Sequence, residues 1–192
     1  MAERRIPKPV SAESLEASAL FYLERFATSS DNLRRVLLRR VWRSAALHGT
    51  DTVAGAALVE ALIGRFVAAR LLDDRAYAEA KTASLHRRGA SARAISAKLA
   101  EKGVGQGVIA AVLREADDET GPASRPGGDL AAAAALIRRR RLGPFRPEAT
   151  REAYRIKDLG TLARAGFARS VAERLLRAPD PDTLAALAHA DD

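Results

Sequence analysis

Residues 99–113, LAEKGVGQGVIAAVL, align without a gap on residues 162–176, LARAGFARSVAERLL. Leu99/Leu162, Ala100/Ala163, Gly103/Gly166, Val108/Val171 and Leu113/Leu176 coincide, and Val104/Phe167 and Val112/Leu175 are apolar in both. These are the positions that two short helices joined by a tight turn must keep. The glycine suits a left-handed C-terminal cap, and the apolar residues recur at the three- and four-residue spacing of one buried helix face. A segment that recurs in this way is a repeated supersecondary unit. Units this small bury little surface alone, so the expected arrangement is a row that shares interfaces, an elongated, curved array. Such arrays bind along a surface more often than they enclose a small-molecule pocket.

The same rhythm runs outward in both directions. Leu15, Ala19, Tyr22, Leu23 and Phe26 have helical spacing, and Thr28-Ser29-Ser30 then offers a cap for a second helix with Leu33, Val36, Leu37 and Val41 inward. After a loop at Gly49, a third helix carries Leu58, Val59, Leu62, Ile63, Phe66 and Val67 toward Leu72. Asp73 or Asp74 caps a fourth, with Tyr77, Ala80 and Leu85, that stops near Gly89. Ser91 opens a fifth with Ile95 and Leu99 inward, and a sixth holds Val108, Val112 and Leu113. Residues 117–128, DDETGPASRPGG, read as a flexible linker. Helix resumes at Leu130, breaks at Gly143-Pro144 and Pro147, and continues over about 149–165, 168–177 and a short last piece from Asp182. Nothing alternates with the period of a strand. The expectation is an all-α chain of three tandem three-helix repeats at 13–72, 73–116 and 129–192, behind a loose tail at 1–12.

Composition narrows the function. The 192 residues carry a formal charge of +8, and all but five of the 32 basic side chains are arginine. Arginine keeps its charge and forks onto phosphate or carboxylate, so nucleic acid and an acidic protein groove are both suited partners. No cysteine is present, which removes disulfides, thiolate metal sites and cysteine nucleophiles. The most apolar stretch, Val53 to Leu72, is interrupted by Glu60, Arg65 and Arg70, and no apolar run follows the early charges. A cytoplasmic protein with no membrane contact is expected.

No constellation of a catalyst stands out. His48, His86 and His189 lie far apart with no metal-ligand spacing, no phosphate-cradling GxxxxGK[ST] occurs, and no strand precedes Gly103-Val-Gly-Gln-Gly. Ser29, Ser30 and Ser91 sit at helix starts, where capping accounts for them. Asp73-Asp74 is better explained by capping than by acid–base or Mg²⁺ chemistry, because adjacent side chains diverge. Trp42 could stack on a base, but covering the joint between the second and third helices is the expected role. No catalytic residue, metal or cofactor is expected.

Candidate binding residues are therefore the basic runs. Arg34, Arg35, Arg39, Arg40 and Arg43 share one helix, with Arg35, Arg39 and Arg43 on a common face. Arg87, Arg88, Arg93, Lys98 and Lys102 follow in the second repeat, and Arg138, Arg139, Arg140 and Arg141 point around a helix of the third. Each run could serve DNA phosphate or acidic protein, or be a solvated face.

Leu71-Leu72-Asp73-Asp74-Arg75-Ala76-Tyr77-Ala78 resembles the signature "glldDerFa" found between the first two repeats of the RecX family. Arg88-Gly89 with Ser91, Ile95, Leu99, Lys102, Gly103 and Val104 resembles its "kG..rI..eL..KGi" stretch, and Ser29, Leu33, Arg34 and Leu37 its "S..eLr..L" pattern. The matches span about residues 15 to 115 in order. Asn32 stands where the family usually has an acidic residue, Tyr77 replaces the common Phe, and the third repeat matches least well. The resemblance implies a monomeric, non-catalytic regulator lying in the groove of the RecA filament on DNA. It implies inhibition of filament growth, with loss of RecA ATPase, strand-exchange and coprotease activity, in DNA repair, homologous recombination and the SOS response. A helical protein acting directly on single- or double-stranded DNA is the alternative, since Ile95 to Leu113 also reads as helix-turn-helix. Leu99 is bulky for that motif, and Gln106 and Arg114 are its only obvious base readers.

Overall fold

Side-chain acceptors mark where several of the helices begin. The computed structural model describes residues 9–119 and 128–189, with side chains at 9–116 and 129–188, and all regular structure among these is helical. The helices are α1 Ala12–Leu23, α2 Ser30–His48, α3 Thr52–Ala68, α4 Asp74–Arg87, α5 Ala92–Glu101, α6 Gln106–Glu119, α7 Gly128–Arg140, α8 Glu148–Arg164, α9 Arg169–Leu176 and α10 Pro181–His189. Ser11 closes a capping box on α1, Ser29 caps α2 and Asp51 caps α3. Asp73 accepts from Ala76 N–H at 2.9 Å and so caps α4, leaving Asp74 for another task. The expected all-α class is observed. Of the expected tail, residues 1–8 lie outside the described residues, while Val10 N–H donates to Ser44 Oγ at 3.1 Å. Of the expected linker, 120–127 lie outside them, while 117–119 end α6 and Gly128 opens α7, because the helices on either side run further than the Gly and Pro content suggests.

The chain forms two compact units, Met1–Tyr77 with Lys102–Val104, and Ala78–Glu101 with Gly105–Asp192. In the first, α1, α2 and α3 enclose Leu15, Ala19, Leu33, Leu37, Val41, Val59, Leu62, Ile63, Phe66 and Leu72. Three sequence expectations fail here. Phe26 is 54% exposed because α1 ends at Leu23, after which helical spacing no longer applies; it rests on Tyr22 with ring centroids 5.1 Å apart. Leu58 and Val67 are exposed because the buried stripe of α3 is narrower, running through Gly55, Val59, Leu62, Ile63 and Phe66. Trp42 does not cover the α2–α3 joint: it is 58% exposed, since Leu33, Leu37, Val41 and Ser44 bury the other side of α2. Asn32 makes a compensating contact, donating to Thr28 Oγ1 at 2.8 Å and to Tyr22 Oη at 3.2 Å.

One joint occurs twice. In the first unit the buried Ser29 hydroxyl accepts from Asn32 N–H at 3.2 Å and donates to the Lys102 carbonyl, which precedes the left-handed Gly103. The next N–H, that of Ser30, donates to Asp74 Oδ1 at 2.7 Å. In the second unit the buried Ser91 hydroxyl accepts from Ala94 N–H at 3.2 Å and donates at 2.8 Å to the Ala165 carbonyl, which precedes the left-handed Gly166. Again the next N–H, that of Ala92, donates to an aspartate, Asp129 Oδ1, at 3.0 Å. Gly103 and Gly166 are the aligned glycines of the sequence repeat. A hydroxyl can donate and accept at once, so one serine satisfies a free N–H at a helix start and a free carbonyl at a helix end.

The remainder of the second unit packs α7, α8, α9 and α10 around Leu130, Ala133, Leu136, Ile137, Leu162, Phe167, Leu175 and Leu184. The break after α7 is a 3₁₀ turn, Gly143–Phe145. Asp158, 1% exposed, holds it by accepting from Gly143 N–H at 3.0 Å and pairing in bidentate fashion with Arg146, both contacts 2.8 Å. Arg151 adds bonds to the carbonyls of Pro144, Arg146 and Pro179.

Glycine substitution tests the joint. A Cβ at Gly103 would overlap the Asp31 carboxylate on a backbone with φ +74°, whereas Gly64, inside α3, meets nothing within 4 Å. Gly103→Ala should lower unfolding free energy by more than about 1 kcal/mol, while Gly64→Ala should raise it by about 0.5–1 kcal/mol, read by urea denaturation. Acid titration tests Asp31. Burial alone would raise its pKa, but hydrogen bonds and charge from Arg35 and Arg34 outweigh burial and leave it below the ordinary 3.8. A depressed folded-state value contributes stability above the unfolded pKa that disappears as pH falls through the lower folded one. The unfolding free energy of Asp31→Asn should therefore fall less steeply than that of the parent below about pH 4.

Candidate functional site

An α-helix that buries one side presents the other to solvent, and on α2 that other side is cationic. Leu33, Leu37 and Val41 fix the inner face, which places Arg35, Arg39, Trp42 and Arg43 outward and Arg40 on the flank. Arg34 is committed to architecture, at 3.1 Å from Asp31 and 2.7 Å from Glu60, and these carboxylates hold its guanidinium pKa above the ordinary value, chiefly through the Glu60 hydrogen bond. Arg35 pairs with Asp31 one turn earlier. Arg39, Arg40 and Arg43 are exposed and make no ion pair among the described residues. Like charges one turn apart on a helix cost a few tenths of a kcal/mol per pair, a cost that an incoming anion would reverse.

In the second unit, Arg139 donates to the Arg88 carbonyl at 2.8 Å, which brings the exposed run Arg87–Arg88 beside the exposed run at 138–141. Gly89 permits this approach, because α7 backbone atoms of Ala132 and Leu136 lie within about 3 Å of where its Cβ would stand. Arg93 and Lys98 are exposed on α5, and Arg93 lies next to the Gly166 turn. Lys102, in the first unit, is half-buried, and its carbonyl is occupied by Ser29.

Sequence reasoning missed a cluster on α9. An open groove of 490 Å³ is lined by Ser170, Glu173, Arg174, Arg177, Thr183 and Leu187 among others. Its charges are mixed: Glu173 accepts from Arg169 at 2.7 Å, which lowers the glutamate pKa, with Arg177 and Arg155 adding to the effect. Its residues come from α9 and α10, so no local run announces it. Two exposed aromatics are covered by cations, Arg25 lying 4.0 Å over Phe21 and Arg146 lying 4.4 Å over Tyr154. Among the described residues, no three His, Cys, Asp or Glu side chains group as metal ligands, and no helix is long and apolar enough to cross a membrane.

The chain has close counterparts among known proteins. The sequence profile of "RecX, second three-helix domain" matches residues 73–113. Regulatory protein RecX of Myxococcus xanthus (strain DK1622) is 43% identical over 171 residues, 88% of either chain. That of Agrobacterium fabrum (strain C58 / ATCC 33970) is 30% identical over 159 residues, 83% of this chain and 79% of the relative. A crystal structure of regulatory protein RecX matches with a TM-score of 0.53 at 22% identity, covering 84% of this chain and 71% of that one, a likeness of fold. The extent and identity of these matches place the chain in the RecX family of regulatory proteins.

Proposed function

We propose that the chain is a non-catalytic, monomeric cytoplasmic regulator that binds in the groove of the RecA filament on DNA and stops its growth. ATP hydrolysis, strand exchange and coprotease activity of RecA fall as the filament is lost, which places the protein in homologous recombination, DNA repair and the SOS response. Kinship with regulatory protein RecX along most of its length carries this reading. The three tandem repeats, at 13–72, 73–116 and 129–192, supply successive helical surfaces. Arg39, Arg40 and Arg43, which make no ion pair among the described residues, and the adjoining runs at 87–88 and 138–141 supply cations for DNA phosphate or for acidic filament surface. A second reading, direct sequence recognition by α5 and α6 as a helix-turn-helix, has less support. The turn at Lys102–Gly103 is engaged by Ser29 and packed on Asp31, and the first half of α6, Gln106–Leu113, offers Gln106 as its one long polar side chain.

The test is RecA assembled on single-stranded DNA, with this protein added at a small molar fraction and ATP hydrolysis followed over time. A progressive loss of hydrolysis is expected, and the triple variant Arg39→Ala/Arg40→Ala/Arg43→Ala should need several-fold more protein for the same loss. Undiminished hydrolysis at equimolar protein would refute the proposal. Tight, site-dependent duplex binding without any effect on RecA would favour the second reading.

A further inference from the structure

We infer that the outer face of α2 is a platform for single-stranded nucleic acid, with a base stacked on Trp42 and backbone phosphates held by Arg39 and Arg43. Trp42 is the one tryptophan of the chain and is 58% exposed. An indole left in water forgoes the burial that makes this residue useful in a core, and no packing role on α2 requires it there. Its ring is also uncovered: Phe21 and Tyr154 each carry a cation over the face, whereas among the described residues none lies over Trp42. Arg39 precedes Trp42 by three residues and so neighbours it on the helix surface, and Arg43, also exposed, stands one turn beyond Arg39.

Arg39 and Arg43 stand one turn apart, about 6 Å along the axis, a spacing on the scale of successive phosphates along a strand. Arg40 adds charge on the flank. An open aromatic face beside guanidinium groups that make no ion pair among the described residues is the pairing that non-specific single-strand binders use, because every base has a π face and every linkage a phosphate. A duplex hides its base faces in the stack and offers only edges and backbone. An acidic peptide would satisfy the arginines but would leave the indole without a purpose.

The inference does not depend on filament binding. Because Trp42 is the sole tryptophan, its own fluorescence reports the event in the full-length protein with no label. Titration with oligothymidylate of about 16 nucleotides, without RecA, should quench the emission saturably. Arg39→Ala and Arg43→Ala should each reduce the slope of log affinity against log salt by about 0.7. Trp42→Ala, followed by anisotropy of a labelled strand, should weaken binding roughly 5- to 100-fold, with Trp42→Phe close to the parent. Circular dichroism melting should be unchanged, since the side chain is on the surface. Absence of quenching, equal affinity for a duplex of the same length or for polyglutamate, or a Trp42→Ala chain that binds as the parent does would each overturn the platform. Such a chain could still slow RecA ATP hydrolysis, so the two readings fail separately.

Discussion

A buried serine hydroxyl at the start of one helix, bonded to the carbonyl just before a left-handed glycine, is the contact on which the repeat depends. At Ser29 it engages Lys102, and at Ser91 it engages Ala165. In both cases the following N–H is taken by an aspartate of another helix start, Asp74 or Asp129. Helix ends carry unpaired backbone groups, and burying them without partners costs about 1–3 kcal/mol each. The joint satisfies both kinds of end at once, which lets the ends be buried and lets small triplets share an interface. Glycine is obligatory at the turn because the positive φ and the approach of Asp31 or of Ser91 leave no room for a side chain.

The series stops where the joint chemistry stops. α8 begins after Pro147, which has neither a hydroxyl nor an N–H, and no side chain caps it. In its place the buried Asp158 clamps Gly143 and Arg146, and α10 packs against α7. The last triplet is thus stabilised by a charge pair and a fourth helix. The arginines fall into two populations. Arg34, Arg146 and Arg151 are tied to carboxylates and carbonyls, while Arg39, Arg40 and Arg43 make no ion pair among the described residues.

Much of this was legible in the chain. Apolar spacing located the helices, the aligned glycines located the repeated turn, and Ser29 and Ser91 were read as caps. Their second bond was not legible, because Lys102 and Ala165 lie more than 70 residues away from them and offer only a backbone carbonyl. Asp129 falls between the stretch read as linker and the helix read from Leu130, and no local pattern there points to Ala92, 37 residues away. Phe26 was assigned to the interior and Trp42 to the joint between α2 and α3, because size and apolar character argue for contact; Phe26 lies beyond the end of α1, and Trp42 lies opposite the buried face of α2. Among the basic residues, sequence could count charges but could not separate Arg34, bound to Glu60, from Arg39.

Native-state hydrogen exchange at the amides of Ser30 and Ala92 addresses the repeated joint most directly. These are first-turn N–H groups, which in an ordinary helix face water and exchange quickly. Both should be protected far above exposed-amide rates, with Asp74→Ala abolishing protection at Ser30 and Asp129→Ala at Ala92, each leaving the other site intact. Exchange of either amide at the rate of an unstructured chain in the unmodified protein would contradict the account.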